Sequence, residues 1–273
     1  MKPLKRFAAA LITFAAIISA AMPISAAEPV NVRLNGNETQ IGALLIGATT
    51  YVPFDSANEA LSYGTAKISG TPEEMQSAST FARITAKEGD CYLEAEGRYF
   101  GGSRSVVISG MLYVPIRSVA KAYGTEVVWD GHTRSVDLYS GKSTLVPGNE
   151  FYRADEVYWL ARIIHAEANG EPMDGKIMVG NVILNRVASP DFPDTIYSVI
   201  FDTEHGVQFT PTANGSIYNV PGEDSIIAAK LCLDSYFLSK SALYFLNPVY
   251  ATSFWVPNNR PYLTTVGGHD FYA

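Results

Sequence analysis

The sequence predicts an α+β protein in two parts, a small mixed module of strands and short helices followed by a mainly helical region with a little sheet. Three observations lead there. Residues 28 to 140 are built of short strand-like runs separated by Gly-containing turns, with a degenerate internal repeat. From residue 151 onward, apolar residues recur at helical spacing. Between them Gly, Pro, Ser and Asn cluster without periodicity in GKSTLVPGN, which reads as a linker over residues 141–150.

The totals agree with two packed domains. The chain has 273 residues, 47% hydrophobic and 17% charged, which leaves no room for long disordered regions. Its net charge is -7, with no basic run beyond the first few residues, so a nucleic-acid partner is not expected. At the N-terminus Lys2, Lys5 and Arg6 precede an apolar run from Phe7 to Ala21, then Pro23 and the small residues Ser25-Ala26-Ala27. That is the pattern of a signal peptide over residues 1–27. The run is short of the ~20 residues a membrane anchor needs. The expectation is therefore export to the cell envelope or beyond, with no membrane attachment after cleavage. The two cysteines, Cys91 and Cys232, fall in different parts of the chain and read as buried free thiols rather than a bridge.

In the first copy of the repeat, Leu34-Asn35-Gly36 is followed by Thr50-Tyr51-Val52-Pro53-Phe54 and Ser62-Tyr63-Gly64. In the second, Ala95-Glu96-Gly97 is followed by Leu112-Tyr113-Val114-Pro115-Ile116-Arg117 and Ala122-Tyr123-Gly124. Each copy reads as a hairpin feeding a strand, a Pro that starts a short helix (Ser118 to Ala122 in the second copy), and a Gly that ends it. These residues resemble the small domain named after the N-terminal stalk of copper amine oxidases. The first copy departs from the pattern at Asp55, where Arg is usual. The single histidine of the region, His132, has no N or S ligands grouped with it, so neither copper nor another metal is expected there. The resemblance implies an accessory module over residues 28–140, for adhesion or positioning, or a plain spacer.

The chemistry is sought in residues 151–273. Val157, Leu160, Ile164 and Ala168 make one apolar stripe of a helix, and Glu167 follows Ile163 and Ile164 by four and three positions. Asn169-Gly170 stops that helix. A carboxyl group at the edge of a buried face, near the negative end of the helix dipole, is pushed toward a higher pKa, as a general acid working near neutrality requires. Its competitor is Glu171, just before Pro172, suited to capping the next helix or to contacting substrate. That second helix runs from about Pro172 to Val187, and Gly180 within it permits close helix packing. Asn185 and Arg186 near its end read equally as polar site residues or capping groups. Gly206 to Thr212 reads as a loop or short strand, and a third long helix as about Asp224 to Leu238.

The run LARIIHAEANGEPMDGKIMVGNVILNRVASPDFPDTIYSVI, followed in order by QFTPTANGSIY, YFLNP, ATSFW and GGHDF, resembles the core signature of SleB-type cell-wall hydrolases, the spore cortex-lytic enzymes. The likeness spans residues 151–273. It implies a lysozyme-like α+β fold and lytic transglycosylase action on peptidoglycan glycan strands, between N-acetylmuramic acid and N-acetylglucosamine, with no cofactor. It also implies that Glu167, the glutamate ending the first helix, is the acid/base. Gln208, Phe209, Tyr244, Asn247 and Trp255, with Glu171, are the candidates for holding substrate. For the aromatics, burial in a core is an equal reading. His269 is a candidate support for the site, or a structural residue. A hydrolytic muramidase and a non-catalytic wall-binding or spore structural protein are the alternatives. His165, His205 and His269 show no metal-binding spacing, and no nucleophile elbow or triad sequence is present. Spore cortex and vegetative wall stay equally open as substrates, and any accessory envelope partner is unidentified.

Overall fold

The computed structural model describes residues 27–141, 144–204 and 206–273. Most of the expected signal segment, Lys142 and Ser143 of the linker, and His205 lie outside the described residues. The architecture is mixed α+β. The chain begins with β1 (Glu28–Leu34), β2 (Asn37–Glu38), β3 (Ala43–Ile46) and β4 (Thr49–Pro53), followed by helix α1 (Phe54–Leu61). Five strands come next, β5 (Lys67–Thr71), β6 (Glu74–Ala78), β7 (Arg83–Lys87), β8 (Tyr92–Ala95) and β9 (Arg98–Gly101). Then come β10 (Val106–Ile108), β11 (Met111–Pro115), α2 (Ile116–Ala122), β12 (Thr125–Asp130) and β13 (Ser135–Ser140).

These strands make two sheets. One runs β10-β11-β4-β3-β1-β13-β12, with β2 paired to β1, and the other is the antiparallel meander β5-β6-β7-β8-β9. Leu34 pairs with Asn37 across a two-residue turn in which Asn35 and Gly36 both have positive φ, the hairpin turn that matches strand twist. Glu96 and Gly97 do the same between Ala95 and Arg98. The two Tyr-Val-Pro strands lie side by side and antiparallel, with Val52 opposite Val114. Pro53 and Pro115 each stand immediately before a helix, where a missing N–H costs nothing. Helix α2 therefore starts at Ile116, two residues earlier than expected. Val52, Phe54, Ile84, Leu93, Leu112 and Val114 fill the core between these layers.

The C-terminal region consists of α3 (Gly148–Phe151), α4 (Ala154–Ala168), α5 (Met173–Ala188), α6 (Ile196–Ile200), α7 (Thr210–Asn214), a 3-10 turn (Ser216–Tyr218) and α8 (Glu223–Leu233). It closes with β14 (Tyr244–Leu246), α9 (Trp255–Asn259), β15 (Tyr262–Val266) and β16 (His269–Tyr272), the strands ordered β14-β16-β15. Leu160, Ile164, Ile177, Ile183 and Leu231 from α4, α5 and α8 form its core. A Cβ on Gly180 would lie 2.7 Å from Cys232 Sγ, so the glycine sets how closely α5 and α8 approach.

Two expectations change in the C-terminal region. The third helix ends at Leu233 rather than Leu238, because Ser235 turns left-handed (φ 64) while Ser235 N–H and Tyr236 N–H bond back to Cys232 and Leu231. This paired capping pattern terminates the helix without glycine. Thr210 to Thr212, the end of the stretch from Gly206 expected as loop or short strand, instead open α7, with Pro211 in the first turn and Gly215 (φ 81) at the end.

The two regions meet along β9. Arg98 pairs with Asp234, which also accepts from Tyr152, and Tyr236 Oη donates to Gly102 O at 2.9 Å. Gly148 N–H donates to Glu96 O at 2.8 Å, so the segment just after the undescribed linker residues is itself docked on the β8–β9 turn. Cys91 and Cys232 are both buried free thiols packed in the C-terminal core.

Candidate active site

Helix α4 places the central group. Leu160, Ala161, Ile163, Ile164 and Ala168 are buried along it, and Glu167, one turn beyond Ile163 and Ile164, shares the edge of that face. Burial alone pushes its carboxyl up to about 7. No neighbouring charge contributes to that rise. Among the described residues nothing hydrogen-bonds to its side chain. Glu167 is therefore an acid about half protonated at pH 7, lining a cleft of about 1060 Å³.

The end of α4 is held by a residue that sequence reasoning passed over. Lys176, 4% exposed, donates from Nζ to Asn169 O (3.0 Å) and to Glu171 O (2.5 Å). A cation on the exposed carbonyls of a helix C-terminus satisfies them and complements the dipole. The available signal was a lysine one turn before Val179 and Gly180 on a helix buried on nearly every face.

The cleft gathers Gln208, Phe209, Tyr244, Asn247 and Trp255 around Glu167. Gln208 Nε2 donates to Gly206 O at 3.2 Å, and Asn247 Oδ1 accepts from Val249 N–H at 3.0 Å. Trp255 is 53% exposed and forms a wall with Tyr244, whereas Phe209 is 3% exposed and packs as core beneath the cleft. The two readings of the aromatics thus divide by residue. The cleft also holds Asp191, Asp202, Glu204 and Arg260, which no motif singled out, and Arg186.

Glu171 sits apart from the lining. Its Oε2 accepts from Gly268 N–H at 2.8 Å, and its Oε1 lies 3.6 Å from His269 Nδ1. A Cβ on Gly267 would come within 1.8 Å of Glu171 Oε2, so the Gly-Gly turn (φ 59 at Gly267) is shaped to receive this carboxylate. Glu171 thereby fastens the segment after α4 to the β15–β16 hairpin, next to His269, which lines the cleft and whose buried Nδ1 has no hydrogen-bond partner among the described residues. Burial pulls the His269 pKa below its usual value, against the opposing pull of Glu171 and Asp270. His165 Nδ1 accepts from Gly222 N–H at 3.2 Å and serves the start of α8. Among the described residues, no group of three or more His, Cys, Asp or Glu is close enough to hold a metal ion.

Arg186, 5% exposed at the end of α5, donates from Nε to Leu243 O at 2.8 Å. Its guanidinium lies 4.8 Å from the Phe192 ring centroid and 5.3 Å from those of Phe209 and Tyr244. Burial lowers its pKa to about 10, partly offset by Tyr244 and Asp202.

Comparison with known proteins places this site in a family. A family model described as cell wall hydrolase matches residues 170–272, and one described as copper amine oxidase N-terminal domain matches residues 97–158. The spore cortex-lytic enzyme of Halalkalibacterium halodurans is 38% identical over 130 residues, 48% of this chain and 38% of that one. The spore cortex-lytic enzyme of Bacillus subtilis is 36% identical over 126 residues, 46% of this chain and 39% of that one. The chain thus spans less than half the length of these relatives. Among solved structures, the catalytic domain of the germination-specific lytic transglycosylase SleB from Bacillus anthracis matches with 36% identity. That match covers 47% of this chain and 100% of that one, with a TM-score of 0.42. The cell wall hydrolase CwlJ of Oceanobacillus iheyensis is 32% identical over 99 residues, 34% of this chain and 69% of that one. On these matches the chain belongs to the cell wall hydrolase family.

Proposed function

We propose that the protein is an exported enzyme that cuts peptidoglycan glycan strands between N-acetylmuramic acid and N-acetylglucosamine, acting as a lytic transglycosylase. The observation that carries this reading is Glu167, an acid raised to about 7 by burial alone, on the floor of a large cleft walled by Tyr244 and Trp255. A neutral carboxyl can protonate the glycosidic oxygen as the C1–O bond breaks. The resulting carboxylate then takes the proton of the muramic acid 6-hydroxyl, whose oxygen closes on C1 to give a 1,6-anhydro end. The substrate supplies the nucleophile, and the enzyme ends the cycle with Glu167 protonated again. A retaining hydrolase would set a second, ionised carboxylate ~5 Å away, which would itself raise the Glu167 pKa. No such contribution reaches Glu167.

In this proposal residues 151–273 form a lysozyme-like catalytic domain, and residues 28–140, built from a degenerate repeat, form an accessory domain that positions it on the wall. Trp255, Tyr244, Gln208 and Asn247 contact the sugar units, and Glu171 acts through the hairpin it holds. The names of the relatives, spore cortex-lytic enzyme and cell wall hydrolase, favour the same substrate class. A hydrolytic muramidase is the second reading, because Asp202 and Glu204 line the same cleft and either carboxylate would serve to activate a water. The test is digestion of purified cortex and vegetative peptidoglycan by the mature protein and by Glu167→Gln, with the new ends identified by mass spectrometry. Anhydro ends that vanish in the variant are expected. Reducing ends would replace the proposal with the muramidase, and no release from either wall would reject an enzymatic role.

A further inference from the structure

Two structural arginines of this protein commit their donors to carboxylates. Arg33 and Arg98 each direct Nε and a terminal nitrogen at a single carboxylate, Asp137 and Asp234. Arg186 does not. It is more deeply buried than Arg33, yet only its Nε is engaged, by the Leu243 carbonyl. Among the described residues no hydrogen bond reaches its two terminal nitrogens and no carboxylate forms an ion pair with it. Asp202 acts on it electrostatically without direct contact. Aromatic rings surround the guanidinium, and the residue lines the cleft alongside Glu167. A second, exposed guanidinium, Arg260, lies over the same Tyr244 ring at 4.7 Å. A planar pair of N–H groups left without a protein partner beside a substrate cleft matches the two oxygens of a carboxylate.

We propose that Arg186 is a specificity-determining residue of the cleft, whose terminal nitrogens bind a carboxylate carried by the muramyl unit of the strand. That carboxylate is either the free lactyl group of a peptide-stripped sugar or one belonging to an attached stem peptide. The inference rests on reading the cleft as a peptidoglycan site.

The test uses the full mature chain carrying Glu167→Gln, so that strands bind without being cut, and measures equilibrium binding of three soluble glycans. One is stripped of peptide and bears free lactyl carboxylates, the second is the same material with those groups amidated, and the third retains its stem peptides. Amidation is expected to weaken binding at least ~30-fold if the lactyl group is the ligand. Tighter binding of only the peptide-bearing strands assigns the carboxylate to the stem peptide. Adding Arg186→Gln should abolish whichever preference is found, and Arg186→Lys should retain part of it. The proposal is overturned if the chain with Arg186 intact binds all three glycans equally, or if Arg186→Gln weakens all three alike and leaves a preference unchanged. Should Arg186→Gln fail to fold, the three-glycan comparison with Arg186 intact still decides. A wild-type chain that cuts no glycan, but whose Glu167→Gln form binds in this carboxylate-dependent way, would defeat the proposed activity and leave this inference standing.

Discussion

Asn58 in the N-terminal core and Asn181 in the C-terminal core are both 0% exposed, yet they reach differently. Asn58 Nδ2 bonds to Phe54 O within its own helical turn, and its Oδ1 accepts from the Tyr123 hydroxyl at the end of α2. Asn181 Nδ2 reaches Tyr236 O and its Oδ1 accepts from Leu238 N–H, both backbone groups of the irregular segment after α8. It has company on α5. Lys176 holds Asn169 and Glu171, Asn185 holds Ser239 and Ala242, and Arg186 holds Leu243. The N-terminal region is organised by strand ladders, which satisfy backbone groups against each other. The segments around the cleft have few ladders, so side chains from one buried helix pin their carbonyls and amides instead. An irregular cleft wall can be rigid only where such groups are paired.

The largest effect expected from breaking this arrangement is at Glu167, whose carboxyl has no hydrogen-bond partner among the described residues. Glu167→Gln should cost about 10³-fold or more in glycan cleavage. It should also stabilise the protein. The folded-state pKa of Glu167 is raised to about 7 from 4.5, so the folded form holds an extra proton between those values. Wild-type stability therefore falls as pH rises from 4.5 through 7, by up to ~3 kcal/mol. Denaturant titrations at pH 4, 6 and 8 should show the variant level with wild type at pH 4 and increasingly ahead above it. A constant difference across that range would mean that Glu167 is not buried as described.

The paired asparagines sharpen the contrast directly. Asn181→Ala should cost ~3 kcal/mol, since it orphans Leu238 N–H and Tyr236 O and leaves a cavity beside Cys232. It should lower turnover too, because the segment it frees leads into β14 and the cleft. Asn58→Ala should cost ~2 kcal/mol and leave cleavage of soluble glycan unchanged. If both variants lose activity in proportion to stability, the distinction between the two cores fails.

Gly101→Ala probes the seam between the regions. Its Cβ would lie 2.2 Å from Tyr236 Cγ, so the ring must move and its bond to Gly102 O is lost. A cost of ~2 kcal/mol is expected, with calorimetry showing one melting transition separating into two. A single unshifted transition would show that Tyr236 is not a shared element.

How much of this was readable in the sequence differs by region. The α4 stripe and the stop at Asn169-Gly170 gave Glu167 its place, since helical periodicity and capping are local signals. Glu171 was misleading locally. Its position before Pro172 suggested a cap or a substrate contact, but its partner, Gly268, lies 97 residues away. Arg186 carried no pattern beyond being polar near a helix end, and its meaning depends on rings from three separate segments. The β5–β9 meander escaped notice because its outer strands barely alternate; β5 is exposed at four of five positions. The end of α8 was overrun because the usual glycine was replaced by Ser235 in a left-handed conformation.

The smallest predicted effect concerns Trp255, which differs from the pinned wall around it. It is 53% exposed, its ring meets Tyr244 at 6.3 Å and the Arg260 guanidinium at 5.3 Å, and no buried side chain from α5 holds it. An exposed indole at a cleft rim has an apolar face free for the flat face of a sugar ring. It contributes little to the core, so Trp255→Ala should leave thermal stability within ~0.5 kcal/mol of wild type. Its loss should raise KM for soluble glycan about fivefold, corresponding to ~1 kcal/mol of stacking, with kcat unchanged. Trp255→Phe should recover most of that affinity, because the stacking face is kept while the indole N–H is lost. A fall in kcat with KM unchanged would mean that Trp255 acts on the reaction centre, and the rim would then belong with the rigid part of the cleft.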